Sequence, residues 1–542
     1  MSLRAADVLA QRLYEAGCRY AFGIPGGEVL TIVDALERAG IRFVLSKHEN
    51  SAGFMAEGVW QRTGAPAVLV ATLGPGVANA VNVVANAEQD RVPLIFLTGC
   101  VDEDEAATYT HQVFDHQQLL RPITRDSLRL SAGAADVITG KALRAATGPR
   151  PGPVHIDVPI SVAAALASPS PVPLPVSPAR SGPAPSADLS SARAAIIAAE
   201  RPLILAGLEA LDEEAAHGVR ALAETLDAPL VTTYKAKGVL PEDHRLALGG
   251  AGLSPKADTL LLPLVAQADV IVLAGYDPIE MRTGWRHPWD ITKQTVVELT
   301  AHPNDHDMHT ATQTFVCDVA AGLTAITPAP DERSSVAVSA WEKKWSETRA
   351  SLHARFIGDT PEWGPAAAIA AARRIVPKDT IATVDSGAHR ILLSQMWETH
   401  ETRTLLQSTG LCTMGCAVPL ALGAKLADPS RPCVAFTGDA GLLMILGELA
   451  SADELELPII VVVFVDRSLA LIDIKQRQRQ LSNAGVDFGR SDFAAIAEAM
   501  GGHGRTVRST EEMETAVTSA LEADRFSVIA VEIEREAYDG TF

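Results

Sequence analysis

Short apolar runs alternate with longer segments of mixed polarity through most of this sequence. Such runs, apolar on both faces of a strand, are typical of strands buried in parallel sheets. The segments between them are long enough for helices. The alternation therefore predicts α/β domains with parallel sheets. The clearest runs in the first and last thirds are residues 67–72, 93–99, 154–159, 381–385, 434–437 and 459–464.

Two breaks divide the chain. Residues 163–189 are rich in Pro, Ala and Ser, and a weaker break near 327–335 contains Pro328 and Pro330. Proline at this density interrupts helices and sheets, so we expect a linker at the first break. The 542 residues suffice for three domains of ~150 residues each. We predict an α/β fold of three doubly wound domains, with a first domain at 1–162, a linker at 163–189, a central domain at 190–327, a linker and helix at 328–358, and a third domain at 359–542.

The composition narrows the functional classes. The net charge of −20 opposes non-specific nucleic-acid binding, which needs a positive surface. The six cysteines are scattered without a C-x-x-C pair, which argues against a zinc site and suits a reducing cytosol. No apolar run approaches the ~18 residues of a membrane span, and residues 1–12 lack the apolar core of a signal peptide. We expect a cytoplasmic protein without nucleic-acid or membrane partners.

Two carboxylates, Asp439 and Asp466, follow two successive apolar runs. Neighbouring parallel strands bring their carboxyl ends close together, so these side chains should meet. They would repel each other unless a cation lay between them, and Mg²⁺ prefers such oxygen ligands while still binding phosphate. Gly438 and Gly441 allow close backbone approach to a phosphate, and a helix start follows. The local pattern predicts a Mg²⁺–diphosphate site.

Three further features are weak individually. Glu49 lies near a predicted helix start, where it is either a solvated carboxylate or a carboxylate held against a ligand or a second chain. Residues 410–419 are glycine and small residues around one bulky Met414, which in isolation indicates a packed helix start. Glycine turns that occur in many α/β folds lie at residues 23–27 and 74–79.

Together, and in this order, these features resemble the thiamine diphosphate (ThDP)-dependent 2-oxoacid decarboxylase and carboligase superfamily. The resemblance extends over nearly the whole chain. Within the superfamily the sequence is most similar to acetolactate synthases, particularly the catabolic type. The stretches that carry the resemblance are residues 22–27, 47–50, 110–112, 121–124 and 275–280.

The resemblance implies that the first domain binds the cofactor's pyrimidine and the third binds its diphosphate. The two domains come from different subunits, which implies a homodimer or tetramer. Glu49 matches the glutamate that bonds to the pyrimidine and so activates the cofactor. Met414 matches the side chain that keeps the cofactor bent, and the Cys412 carbonyl would face the pyrimidine amino group.

The same resemblance implies the remaining site residues. Asp439, Asp466 and the backbone carbonyl of Ser468 match the Mg²⁺ ligands. Gln112 matches a glutamine near the reacting centre, although a surface turn explains it equally well. Ser386 and His389 either contact the diphosphate or cap the next helix. The cofactor contacts expected from matching positions are Pro25, Gly26, Gly74, Ser386, His389, Cys412, Met414, Gly438, Ala440 and Gly441.

Several positions depart from the family pattern. Ala440 replaces the second glycine of a Gly-Asp-Gly motif, and Asp466 occupies a position that is often Asn. The segment after the metal site lacks the Trp that many acetolactate synthases place near Ile474. These changes fall around the substrate pocket, so they bear on the substrate more than on the cofactor.

The expected reaction is cleavage of a 2-oxoacid with release of CO₂, followed by attack of the cofactor-bound enamine on a second carbonyl. With pyruvate in both roles the product is acetolactate. Three alternatives stay open: a simple 2-oxoacid decarboxylase, a non-catalytic homologue, and a member that binds FAD. The central domain has no G-x-G-x-x-G fingerprint, but some acetolactate synthases bind FAD without one.

Overall fold

The computed structural model describes residues 3–167, 180–329, 331–332, 339–358 and 362–542. Within these ranges the chain forms three six-stranded sheets, and all strand pairs in the first sheet, as in the other two, are parallel. The predicted α/β fold of three doubly wound domains is therefore confirmed. None of the helices in these ranges combines the length and apolar character needed to cross a membrane.

The first domain contains six strands and eight helices in the described residues. Its strands are β1 (Tyr20–Ile24), β2 (Arg42–Leu45), β3 (Ala67–Ala71), β4 (Leu94–Cys100), β5 (Asp126–Arg129) and β6 (Val154–Pro159). Its helices are α1 (Ala5–Glu15), α2 (Leu30–Ala39), α3 (Glu49–Thr63), α4 (Pro75–Gln89), α5 (Glu103–Ala106), α6 (His116–Leu120), α7 (Ala135–Ala146) and α8 (Ile160–Ala164). The strand order is β2-β1-β3-β4-β6-β5.

The central domain repeats this architecture. Its strands are β7 (Pro202–Ala206), β8 (Leu230–Thr233), β9 (Ala247–Ala251), β10 (Val270–Ala274), β11 (Thr295–Thr300) and β12 (Gln313–Val316). The helices are α9 (Ala187–Ala198), α10 (Glu213–Leu226), α11 (Pro255–Val265), α12 (Val319–Ile326) and α13 (Ser339–Phe356). The strand order is β12-β11-β10-β7-β8-β9.

The third domain completes the set. Its strands are β13 (Ile381–Val384), β14 (Leu405–Gln407), β15 (Cys433–Gly438), β16 (Ile460–Val465), β17 (His503–Val507) and β18 (Ser527–Glu532). The helices are α14 (Pro365–Ile375), α15 (Ala388–Met396), α16 (Ala417–Ala427), α17 (Asp439–Met444), α18 (Glu448–Glu454), α19 (Ala470–Gln478), α20 (Phe493–Ala499) and α21 (Thr510–Leu521). The strand order β14-β13-β15-β16-β18-β17 reverses direction between β13 and β15, where ligands of such sheets bind.

Helices overlap both ends of the linker expected at 163–189, because α8 reaches Ala164 and α9 begins at Ala187. Residues 168–179 of that linker lie outside the described residues, as do 330, 333–338 and 359–361 around the second expected break. The domain boundaries proposed from the sequence therefore stay predictions.

Strand β16 is apolar on both faces, and the packing of its side chains explains this pattern. Val462 and Phe464 belong to one hydrophobic cluster, whereas Val461 and Val463 belong to another. Successive side chains of a strand point to opposite faces, so each face of this strand lies in its own core. The apolar run is therefore the signature of a sheet covered by helices on both sides.

The first and third domains meet where α3 crosses α16 at close range. A Cβ atom added to Gly423 would fall on the carbonyl oxygen of Met55, and one added to Gly58 would fall on that of Leu420. Both neighbours are backbone atoms, which cannot move aside as a flexible side chain can. The crossing therefore requires glycine on both helices.

We expect Gly423→Ala to destabilise the protein by about 1–3 kcal/mol or more, because overpacking at this crossing forces the two helices apart. Scanning calorimetry of the purified protein measures the effect. Gly133→Ala is the control, since an added Cβ there meets no atom within 4 Å. Equal melting temperatures for both variants would contradict the described crossing.

Candidate active site

The two carboxylates Asp439 and Asp466 lie at the same edge of the third sheet. Asp439 is the first residue of α17, directly after β15, and Asp466 follows β16. The two strands are adjacent and parallel, with Gly438 opposite Phe464. The strands that precede them therefore bring both side chains to one edge of the sheet, with Asp439 at the strand beside the reversal point.

Their hydrogen bonds leave one acceptor unused. Asp439 accepts bonds from the backbone N–H groups of Arg467 and Ala440, each at 2.8 Å. Asp466 Oδ1 accepts one from the N–H of Ser468 at 3.1 Å. Within the described part of the chain, the buried Asp466 Oδ2 and Ser468 Oγ have no partner. Such atoms are rare in folded proteins and call for an explanation.

Burial and mutual repulsion perturb both acids. Burial, followed by the charge of Asp439, raises the pKa of Asp466 to about 7. Burial also raises the pKa of Asp439 above its ordinary value, although backbone N–H groups oppose this. Two acids in this state bind either a proton or a cation between them.

A cavity of about 120 Å³ adjoins the pair. Among the described residues, its lining comes from the third domain alone. Residues 386–389, residues 438–441 and the start of α19 form three of its sides. Met414, Phe464 and Tyr538 complete the lining. Both Ser386 and His389, proposed from the sequence as diphosphate contacts or helix caps, face this space.

The donor set fits Mg²⁺ and diphosphate. Two carboxylates, one of which has a buried oxygen without a partner, lie beside a cavity whose rim carries glycine backbone and hydroxyl groups. Mg²⁺ prefers oxygen ligands and shares its coordination sphere with phosphate oxygens. The residue types present are therefore those that this ion and this anion require.

Asp385 organises the walls of the cavity, a role that the sequence motif alone did not reveal. Its carboxylate accepts bonds from the N–H of Gly415 at 2.6 Å and from the Thr437 hydroxyl at 2.9 Å, and it lies 2.8 Å from Nε2 of His389. Three loops thus converge on one buried side chain. The available signal was its position at the end of β13.

Arg390, on α15 of the third domain, links the segment with Cys412 and Met414 to the central domain. Arg390 Nη1 lies 3.1 Å from the Cys412 sulfur, and the same guanidinium binds Gln407 and the central-domain Glu280. Cys412 has a φ of 49°, in the left-handed region that favours glycine. Cys412 therefore occupies a backbone conformation that glycine would adopt without steric cost.

In the first domain, Glu49 begins α3 and is only 5% exposed. Its Oε2 accepts a bond from Asn79 Nδ2 at 3.0 Å. The interpretation as a solvated helix-start carboxylate therefore does not describe it. Asn79 was not singled out by the sequence, because its contact with Glu49 depends on how α3 packs against α4.

Three of the other first-domain candidates follow strand ends of the same sheet, and the fourth, Gln112, lies in the loop between α5 and α6. Pro25 is exposed and Gly26 is partly buried after β1, while Gly74 follows β3 with a φ of 63°. Gln112 is exposed with a φ of 60°, and its carbonyl packs against Gly74. The candidate residues therefore form two groups in one chain, around Glu49 and around Asp439.

A second group of possible metal ligands lies near Gly74. The ligand atoms of His116, His155 and Asp157 lie within 4.8 Å of one another. Hydrogen bonds account for all of their ring nitrogens: His116 binds the N–H of Gly74 and Asp157, and His155 binds two hydroxyls. We therefore assign a hydrogen-bond network here, with Thr98 and Ser127 as the hydroxyl partners.

Comparison with known families gives a consistent result for all three domains. The family models described as Thiamine pyrophosphate enzyme, N-terminal TPP binding domain, central domain, and C-terminal TPP binding domain match residues 3–119, 189–326 and 385–531. Thiamine pyrophosphate is another name for ThDP. The chain therefore belongs to the thiamine diphosphate-dependent enzymes.

Individual relatives match over nearly the full length. Acetolactate synthase from Bacillus subtilis is 29% identical, covering 98% of this chain and 93% of the relative. Catabolic acetolactate synthase from Raoultella terrigena is also 29% identical, covering 98% and 95%. A probable 2-ketoarginine decarboxylase from Pseudomonas aeruginosa is 29% identical, covering 95% and 91%. This chain is thus similar both to carboligating enzymes and to a decarboxylase.

The raised pKa of Asp466 predicts how the stability of the metal-free protein depends on pH. Folded Asp466 keeps its proton up to about pH 7, whereas the unfolded side chain loses it near its ordinary value of 3.8. Stability therefore falls as pH rises between these values, by on the order of 4 kcal/mol. We expect Asp466→Asn to remove this part of the pH dependence and to melt above wild type at pH 8.

Thermal unfolding in a chelator between pH 4 and pH 8 measures this difference. Asp379→Asn, at an exposed position, is the matched control and should follow the wild-type curve. If the melting temperatures of wild type and Asp466→Asn changed with pH in the same way, the raised pKa of the buried carboxylate would be contradicted.

Proposed function

We propose that this protein is a ThDP- and Mg²⁺-dependent enzyme that decarboxylates a 2-oxoacid and joins the remaining fragment to a second carbonyl compound, as acetolactate synthases do. The observation that carries the proposal is the buried Asp439–Asp466 pair beside the third-domain cavity. Similarity to acetolactate synthases over nearly the whole chain supports the same reaction class.

The third-domain residues would hold the metal and the diphosphate. Asp439, Asp466 and the backbone carbonyl of Ser468 are the proposed Mg²⁺ ligands. Coordination would use the partnerless Asp466 oxygen and neutralise the repulsion between the two acids. The residues proposed to contact the diphosphate are Ser386, His389, Gly438, Ala440 and Gly441.

When bound, ThDP supplies an electron sink at its thiazolium ring for the electron pair released by decarboxylation. Glu49 would hold a proton against a ring nitrogen of the pyrimidine. Asn79 fixes its Oε2, so we assign Oε1 to this contact. Burial of Glu49 would keep water away from this contact.

The remaining candidates would position the pyrimidine and the substrate. Met414 would support the bent cofactor, and the Cys412 carbonyl would accept a bond from the pyrimidine amino group. Gln112 is proposed as a polar contact beside the reacting carbon. The first-domain backbone proposed to contact the cofactor is that of Pro25, Gly26 and Gly74.

We infer a homodimer or tetramer with shared active sites. Among the described residues, none from the first domain lines the third-domain cavity. A second copy would bring its Glu49 to this cavity. We also propose a cytoplasmic location, in agreement with six free cysteines and an acidic chain.

Carboligation is favoured over simple decarboxylation by the side of the cavity next to Asp466. The partly buried Leu469 and Leu471 form an apolar wall there, and the exposed Ile472 extends it. Such a wall would limit water and delay protonation of the decarboxylated fragment. The second candidate is a 2-oxoacid decarboxylase, which similarity to the probable 2-ketoarginine decarboxylase supports.

We expect pyruvate, with ThDP and Mg²⁺, to yield CO₂ and acetolactate in equal amounts. A panel of 2-oxoacids assayed for CO₂ and for the coupled product tests this, with omission of ThDP or Mg²⁺ as controls. Parallel reactions with added FAD would reveal a flavin requirement. Acetaldehyde as the pyruvate product would favour the decarboxylase, and no CO₂ from any substrate together with no ThDP binding would favour a non-catalytic homologue.

Shared sites predict that two inactive variants complement each other. Glu49→Gln should lower turnover by roughly 10²–10⁴-fold while ThDP still binds, because it removes a proton-transfer group. Asp439→Ala should lose ThDP on gel filtration, because it removes a metal ligand. A dimer with one subunit of each kind has one intact site, so tandem-purified mixed dimers should recover about half of the wild-type rate.

Each variant carries a different affinity tag, and preparations that combine two copies of the same variant serve as controls. Mixed dimers as inactive as the controls would place Glu49 and Asp439 in the same site of one chain.

A further inference from the structure

The C-terminal segment, residues 533–542, reaches the candidate diphosphate site. It follows β18 and brings Tyr538 into the lining of the cavity that also contains Asp439 and Asp466. The Tyr538 ring packs edge-on against Phe464, with ring centres 6.5 Å apart, and the residue is only 3% exposed. A residue four positions from the end of the chain is therefore part of the site wall.

The hydroxyl of Tyr538 is buried without a hydrogen-bond partner among the described residues. Burial, together with the charges of Asp466, Asp439 and Asp385, raises its pKa well above the ordinary value. The hydroxyl therefore keeps its proton and acts as a donor. Asp466 Oδ2 and Ser468 Oγ are likewise without partners, so three unpartnered polar atoms belong to residues lining one cavity.

Ion pairs hold the segment against α19, whose first turn also lines the cavity. Arg477 donates two hydrogen bonds to Asp539, each of 2.6 Å, and a third to Asp473 at 2.8 Å. Arg535 joins Asp473 to Asp487. The residue next to Tyr538 is thus fixed by a two-bond ion pair, which limits how the tyrosine ring can move.

We propose that Tyr538 is a further cofactor-binding residue, whose hydroxyl donates a hydrogen bond to an oxygen of the diphosphate. This inference rests on the proposed function. A diphosphate near Asp439 and Asp466 presents anionic oxygens, which are strong acceptors for a buried donor. The family model matches up to residue 531, so this contact lies outside the part of the chain that the family comparison covers.

The test compares two tyrosine-to-phenylalanine variants by calorimetric titration. Tyr538→Phe should weaken binding of ThDP in Mg²⁺ by about 10- to 100-fold, the range for a hydrogen bond to a charged group. The affinity for inorganic pyrophosphate, measured with Mg²⁺, should fall by a similar factor, because the contact is to the diphosphate. Tyr276→Phe is the matched control, since its hydroxyl is also buried without a partner, in the central domain. It should leave both affinities unchanged.

Thermal melting of the metal-free, cofactor-free proteins distinguishes an effect of the substitution on ligand binding from an effect on folding. Neither variant should melt below wild type, because neither removes a hydrogen bond that the described structure contains. A Tyr538→Phe affinity equal to wild type would overturn the inference and leave the proposed function standing. Weakened ThDP binding with unchanged pyrophosphate binding would overturn the assignment to the diphosphate. Wild-type protein that binds neither ligand would overturn the proposed function and this inference together.

Discussion

Two carboxylates buried at the ends of adjacent parallel strands impose the constraint on which the rest of the site depends. The register of β15 and β16 brings Asp439 and Asp466 to one edge, and burial raises the pKa of both. A fold that keeps such a pair loses stability at neutral pH unless a cation compensates. Under the proposed function, Mg²⁺ and its anionic ligand would offset this energetic cost when they bind.

The surrounding structure converts this local pair into a defined cavity. The carboxylate of Asp385 contacts residues of three loops beside the cavity. The loop that carries Cys412 and Met414 is fixed further by buried charges from other domains. Lys235 of the central domain donates to Asp90 and to the carbonyl of Gln407, each at 2.9 Å.

Asp90, in the first domain, then accepts bonds from the N–H groups of Thr409 and Gly410 at 2.9 and 2.8 Å. All three domains thus contribute to the shape of one loop. The central domain therefore helps to hold this loop, although none of its described residues lines the third-domain cavity.

The sequence predicted the sheets and the acid pair because both depend on local patterns. An apolar run is visible residue by residue, and a carboxylate at its end marks the carboxyl edge of a strand. The contacts that give Asp385, Asp90 and Asn79 their roles could not be predicted from local sequence patterns. Each contact joins elements that are distant in the chain. Tyr538 was missed for the same reason, since nothing near residue 538 indicates that the chain returns to β16.

The domain boundaries remain predictions, because part of each expected linker lies outside the described residues. Proline density between 163 and 189 indicated a linker, but α8 and α9 extend into both of its ends. Alanine-rich sequence there supports helix where proline is absent, so composition averaged over a segment obscures its ends.

The central claim is most directly tested by anomalous diffraction from crystals grown with Mn²⁺, as a substitute for Mg²⁺, and ThDP. The account predicts an anomalous peak about 2.1 Å from oxygens of Asp439, Asp466 and the Ser468 carbonyl. A third domain without that peak, or Mn²⁺ bound instead by His116, His155 and Asp157, would contradict it.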